Sequence, residues 1–161
     1  SSYNWDSTIL MIQQAGLENL FEGREPGYEQ ITFFGVTNHS IRRYMIENGI
    51  KRIKDMTPEF CRTTLMAYVV KKRIMKENID FRIPDAGKEI LGGTIIVTEG
   101  GRRLHAYKEQ AEWGGVANAG AVTLSVFSYT ADKAVPMASP NIETLTGVIH
   151  ALNYNHTLGE L

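Results

Sequence analysis

The chain has 161 residues, 43% of them hydrophobic and 22% charged, which is enough to bury a core without a metal and too apolar for wholesale disorder. Its formal charge is −1, so attraction to a polyanion would have to come from local segregation of charge rather than from the total. The single cysteine, Cys61, excludes an internal disulfide and a disulfide-built secreted scaffold.

Asp6 is a good helix cap, with Trp5 and Leu10 at the two staple positions. Leu10, Leu17, Leu20 and Phe21 continue an apolar stripe that Gly23 ends. Residues 22–28 read as a loop, and Gln30 to Val36 as a short buried strand around Ile31-Thr32-Phe33-Phe34. A second helix is expected over 38–48, with Ile41, Tyr44 and Met45 inward. Thr57-Pro58-Glu59 is the clearest helix start: a cap, a first-turn proline and an acid at the positive dipole end. The apolar positions Phe60 to Ile74 then carry this helix to about Asn78.

Past Ile79 the texture changes. Phe81-Arg82-Ile83 is expected as a short strand closed by Pro84. Thr94 to Tyr107 reads as a β-hairpin, with Gly100-Gly101 supplying its turn. Residues 114–121 are small and loop-like, and 122–129 alternate as a strand. Ser139-Pro140 signals a last helix, with Ile142, Leu145, Ile149 and Leu152 on one stripe. These elements predict one α+β domain over 1–161. Its N-terminal half is helix-rich with a short strand; a β-hairpin, a further strand and a C-terminal helix follow. The chain begins without methionine, which suggests a processed protein or a domain excised from a longer chain.

Charge is segregated along the chain. Residues 1–41 carry a net −4, residues 42–82 a net +6 and residues 83–161 a net −3. If the helix from Thr57 is continuous, Arg62 and Arg73 stand nearly three full turns apart and point the same way, with Lys76 about 40° and Lys72 about 80° from that line. Arg42 and Arg43 on the second helix, and Arg102 and Arg103 at the hairpin tip, extend this basic ridge. Tyr44 and Tyr107 could stack on bases. Arginine suits phosphate because its planar fork binds oxygens in pairs. The leading expectation is therefore a non-enzymatic nucleic-acid-binding or assembly module, RNA included.

Two other classes fit the same residues. A small enzyme would use His105 and Glu109, which become an acid–base pair if the chain turns helical after Tyr107, with Asn118 in the Gly-rich loop. A protein-interaction or self-assembly domain would meet a protein partner or a second copy of itself. No phosphate-binding glycine loop, zinc spacing or nucleophile elbow occurs, so no cofactor and no metal are expected. Asp85 and Glu99 lack the lysine of a nuclease set, because Gly101 stands there. No apolar run approaches the ~18 residues of a membrane span, and no signal-peptide pattern opens the chain. An intracellular, cytoplasmic protein without a membrane partner is expected.

Overall fold

The computed structural model describes residues 5–84, 89–144, 147–153 and 155–161. The helices are short and stand mostly in the first half: α1 (Asp6–Ala15), α2 (Glu18–Phe21), α3 (Asn38–Glu47) and α4 (Pro58–Met66). The start of α4 follows from its sequence, whereas Asp6 is the first helical residue of α1 rather than its cap, which is Trp5. Thr57 Oγ1 accepts the Phe60 N–H at 3.0 Å, with Pro58 at the first helical position of α4. Asn38 Oδ1 accepts the Ser7 N–H at 2.9 Å, tying the start of α1 to the start of α3. α1 then packs against both α4 and α3.

The remainder is predominantly sheet. The strands are β1 (Ile31–Gly35), β2 (Val69–Val70), β3 (Arg82–Ile83), β4 (Leu91–Gly92), β5 (Thr94–Val97), β6 (Arg103–Gln110), β7 (Val122–Ser128), β8 (Lys133–Thr144) and β9 (Gly147–Leu152). Seven of them form one sheet in the order β2-β1-β9-β8-β7-β6-β5, and β3 pairs with β4 as a separate ribbon. All neighbours in the large sheet are antiparallel except β1 and β9, which run parallel with Phe33 opposite Ile149.

The sheet bends round until its two edges nearly meet. The Glu99 N–H donates to Val69 O and the Gly100 N–H to Met66 O, each at 2.8 Å, so the β5–β6 turn touches the stretch entering β2. The Tyr28 hydroxyl donates to Glu99 Oε1 at 2.6 Å beside this seam, and that hydrogen bond helps push the phenol up to about 12. The result is a barrel-like sheet filled by Leu104, Leu124, Val126, Leu152 and Ile96, and continued by Met11, Leu17, Leu20, Leu65 and Tyr68 under the helices. Each fully buried large apolar side chain contributes about 1.5–3 kcal/mol.

This mostly-β arrangement overturns the helix-rich α+β expectation, and two segments account for it. First, the helix from Thr57 stops at Met66 rather than near Asn78. Val69 and Val70 instead pair with Phe33 and Thr32 of β1. Two adjacent β-branched residues are better placed on a sheet than in a helix, and the partner strand decides. Thr32 Oγ1 then holds the following chain, donating to Lys72 O and accepting the Ile74 N–H, both at 2.7 Å. Second, the expected C-terminal helix is the end of β8 and all of β9. Pro140 sits where the β8–β9 register shifts between Ser139 and Ile142, an irregularity that tolerates a residue without an N–H. The stripe residue Leu145 lies outside the described residues, as does Asp85.

Gly147 opens β9 at φ 150°, and a Cβ there would strike Ile31 O of β1. Only glycine permits the parallel strands to approach at this point.

Candidate interaction surface

Alternation along β5, β6 and β7 sends one set of side chains into the barrel and the other outward. Leu104, Ala106, Leu124 and Val126 go in. The outward set is in register: Ile95, His105, Phe127 and Ala134 form one row, and Val97 stands opposite Arg103 in the next. Tyr107 and Glu109 continue the outward side of β6, and Tyr129 follows β7. The β3–β4 ribbon lies against part of this face.

The outer face is aromatic and cationic. Phe127 and Tyr129 meet edge to face at 5.2 Å, and His105 lies 6.3 Å from the Tyr129 ring. The Arg103 guanidinium stands over Tyr129 at 5.0 Å and that of Arg82 over Tyr107 at 5.6 Å. Arg82 Nη1 also lies 3.8 Å from Glu109 Oε1. Burial pushes the Tyr107 hydroxyl above its ordinary value. Between the ribbon and the sheet is a depression of about 670 Å³ walled by Tyr107, Phe127, Tyr129 and Ile90, with Arg82, Glu89 and Asp132 also lining it. The β7–β8 turn holds Asp132 at φ 53°, a left-handed conformation that Asp tolerates better than most residues.

The expected catalytic trio is not brought together. β6 stays extended through Gln110, so His105 and Glu109 lie about 13 Å apart along one strand. His105 Nε2 donates to Gly92 O at 2.6 Å, and Nδ1 pairs with the Tyr129 hydroxyl at 3.0 Å. The ring thereby pins β4 to the sheet. Glu109 and Asn118 do share a recess of about 520 Å³, with Phe81, Arg82, Pro84 and Gln110. His105 is not part of it.

The basic ridge does not form either, because it required a helix that ends at Met66. Arg62 remains on α4. Arg73 lies beyond β2, where Nη1 donates to Gly147 O at 3.0 Å and Nη2 pairs with Glu143 at 3.1 Å. Lys76 Nζ donates to Val122 O at 3.0 Å, and Lys72 is exposed on the connecting segment. On α3, Arg43 Nη1 donates to Asn155 O at 2.5 Å while Arg42 is exposed. Arg102 lines a cleft of about 510 Å³ with Phe60, Thr63, Tyr68 and residues 157–161. Tyr44 stacks on Phe60 at 5.5 Å against the core rather than standing free for a base. The cations are spread over several elements and several are held by carbonyls or carboxylates. The premise of nucleic-acid binding, a shared cationic face, is therefore withdrawn.

Two histidines are core residues. His150, on β9, donates from Nε2 to Ile74 O at 2.7 Å and accepts the Asn141 N–H at Nδ1 at 3.1 Å. That pattern requires the neutral ring, and burial holds its pKa low. The buried Tyr68 hydroxyl accepts the Gly159 N–H at 2.9 Å and shares a hydrogen bond with His156 Nε2 at 2.7 Å. Burial lowers His156 to about 4 and raises Tyr68. Burial likewise raises Cys61, whose thiol is unreactive in the core. Among the described residues, no group of three or more His, Cys, Asp or Glu is placed to hold a metal, and no helix is long and apolar enough to cross a membrane.

The outer-face aromatics Phe127 and Tyr129 were missed. Their signal was present: once the Gly100-Gly101 turn fixes the hairpin, the alternation of 122–129 places them on the same side as His105.

No protein-family model matches the chain, and no curated protein matches it. Among solved structures it is similar to a FAS1 domain pair from the insect cell adhesion molecule Fasciclin I, with a TM-score of 0.60 and 13% sequence identity. The match covers 96% of this chain and 44% of that one, so this chain spans less than half of its neighbour's length. At that identity the likeness is one of fold: the chain has a FAS1-like, mostly-β architecture, which lends no support to a nucleic-acid-binding module.

Proposed function

We propose that this chain is a protein-interaction domain that meets its partner through the outward face of β5, β6 and β7. The observation that carries this reading is the composition of that face. Ile95, Val97 and Tyr129 are 45%, 62% and 45% exposed; Ile95 shares a row with His105 and Phe127, Val97 faces Arg103 in the next, and Arg82 reaches the face from β3. Aromatic residues and arginine are the types enriched at the energetic centres of protein interfaces. Single exposed apolar residues are ordinary, whereas a contiguous set marks a contact surface. The FAS1-like fold supports the reading in one further respect, since the similar domain pair comes from a cell adhesion molecule. The face carries both signs of charge, with Arg82 and Arg103 beside Glu89, Glu109 and Asp132, which suits self-association about a two-fold axis as well as a second protein.

A photo-crosslinking residue placed at Val97 or Tyr129, and at Ile46 of α3 as a still more exposed control, tests this. Specific protein adducts from the two sheet positions and none from Ile46 are expected. Equal yields from all three positions would dismiss the reading. Sedimentation velocity over a wide concentration range then separates a second copy from a different protein as the partner.

A further inference from the structure

The depression on this face carries an electrostatic demand on whatever covers it. Glu89 and Asp132 both line it and both are exposed, and among the described residues neither side chain has an ion-pair or hydrogen-bond partner. The nearby cations have other partners: Arg82, which also lines the depression, faces Glu109 at 3.8 Å, Arg103 lies over Tyr129, and Lys133 binds Glu160 at 2.8 Å. In the free domain water solvates the two carboxylates. A partner that sealed the face with apolar groups would strip the water from both charges and leave them unpaired. A partner that brings a positive charge avoids this. The walls favour the same group, because the half-buried Phe127 and the exposed edge of Tyr129 offer ring surface to a flat or aliphatic stem, as the Tyr107 and Tyr129 rings already do to Arg82 and Arg103. At about 670 Å³, the space is ample for one long side chain.

We infer that this depression receives a cationic side chain, an arginine or a lysine presented by the partner protein. Its charge would pair with Glu89 and Asp132 and its stem would lie against the aromatic walls. This rests on the protein-interaction reading and adds the chemistry of the partner to it.

A blocked pentapeptide, acetyl-Gly-Ser-Arg-Ser-Gly-amide, is the probe, with citrulline and glutamate versions as the neutral and anionic controls. Titrated into the isotope-labelled domain, the arginine peptide should shift the amide signals of Glu89, Tyr129 and Asp132 and bind about tenfold more tightly than the citrulline peptide. The doubly neutral variant E89Q/D132N alters only exposed carboxylates and should fold normally by circular dichroism while losing that preference. Equal binding of the arginine and citrulline peptides, or no binding of either at millimolar concentration, overturns the inference. Preference for the glutamate peptide also overturns it, and assigns the depression to anions through Arg82. If Val97 and Tyr129 still give specific crosslinks while the peptides show no charge preference, the cation inference fails alone. If those crosslinks are absent, the interaction reading fails with it.

Discussion

The two halves of the sheet are built differently. β1 is buried at every position, and β9 at all but Ile149. β5 and β7 bury alternate residues and send the others outward. A strand covered on both faces needs apolar or fully bonded side chains throughout, whereas a half-covered strand is free to vary every second residue. The covered half therefore holds stability, and the bare half is where function can be written without endangering the fold. The polar groups follow the same division. Thr32 and His150 in the covered half have their hydrogen bonds met by backbone, while Glu89 and Asp132 beside the bare half face solvent.

Substitutions can break that contrast. The largest loss is expected for Phe34→Ala in β1, whose side chain is fully buried; it should cost about 4 kcal/mol in chemical denaturation. A loss below about 1 kcal/mol would mean that the covered half is not the stabilising one. Gly147→Ala should cost about 3 kcal/mol, because the new methyl meets Ile31 O of the neighbouring strand. Here an unchanged midpoint would show that β1 and β9 can separate freely.

Acid should act mainly through the covered side. His150 and His156 are neutral when folded and have pKa values below the ordinary 6.5, that of His156 at about 4. The unfolded chain binds these protons more tightly, so their contribution is complete above about pH 6.5 and is lost as pH falls towards 4. The share of His156 alone is about 2–3 kcal/mol at the lower limit. Denaturation of the parent and of H156Q at pH 7 and pH 4.5 isolates it: the variant should show the weaker pH dependence, and parallel curves would refute the assignment. The smallest effect is expected for Val97→Thr on the bare face, below about 0.5 kcal/mol, although partner binding should weaken. A destabilisation approaching that of Phe34→Ala would erase the distinction between the halves.

The same division explains which elements were legible. The 94–107 hairpin and the 122–129 strand announced themselves because half-buried strands alternate, and Gly100-Gly101 marked the turn. α3 and the start of α4 were visible through apolar spacing and the Thr57-Pro58 cap. β9 was not, since a strand buried on both sides has no alternation to display. Its Ile149 and Leu152, three apart, with Ile142 before them, match a helical stripe equally well. β2 was hidden for a related reason: Val69 and Val70 extend the apolar face of α4 in phase, and only the presence of β1 beside them ends the helix. The basic ridge failed with that helix. For the proposed surface, the residues were in view but their gathering was not. The docking of the β3–β4 ribbon through His105 and Gly92 brings Arg82 and Glu89 to Tyr107, and the β7–β8 turn brings Asp132 there.

The seam determines how such a domain would yield under tension. Neighbouring strands elsewhere in the large sheet share ladders, whereas the β5–β6 turn is fastened to residues 66–70 by the Glu99–Val69 and Gly100–Met66 bonds, with Tyr28 steadying Glu99. Force drawing β5 away from β2 would meet these few bonds and release them before any ladder is strained. The sheet would then uncurl as a ribbon from that margin, while β1 and β9 stayed enclosed. A molecule tethered at its surface thus has a built-in point of first rupture, which amide exchange at Glu99 and Gly100 would register before exchange within β9.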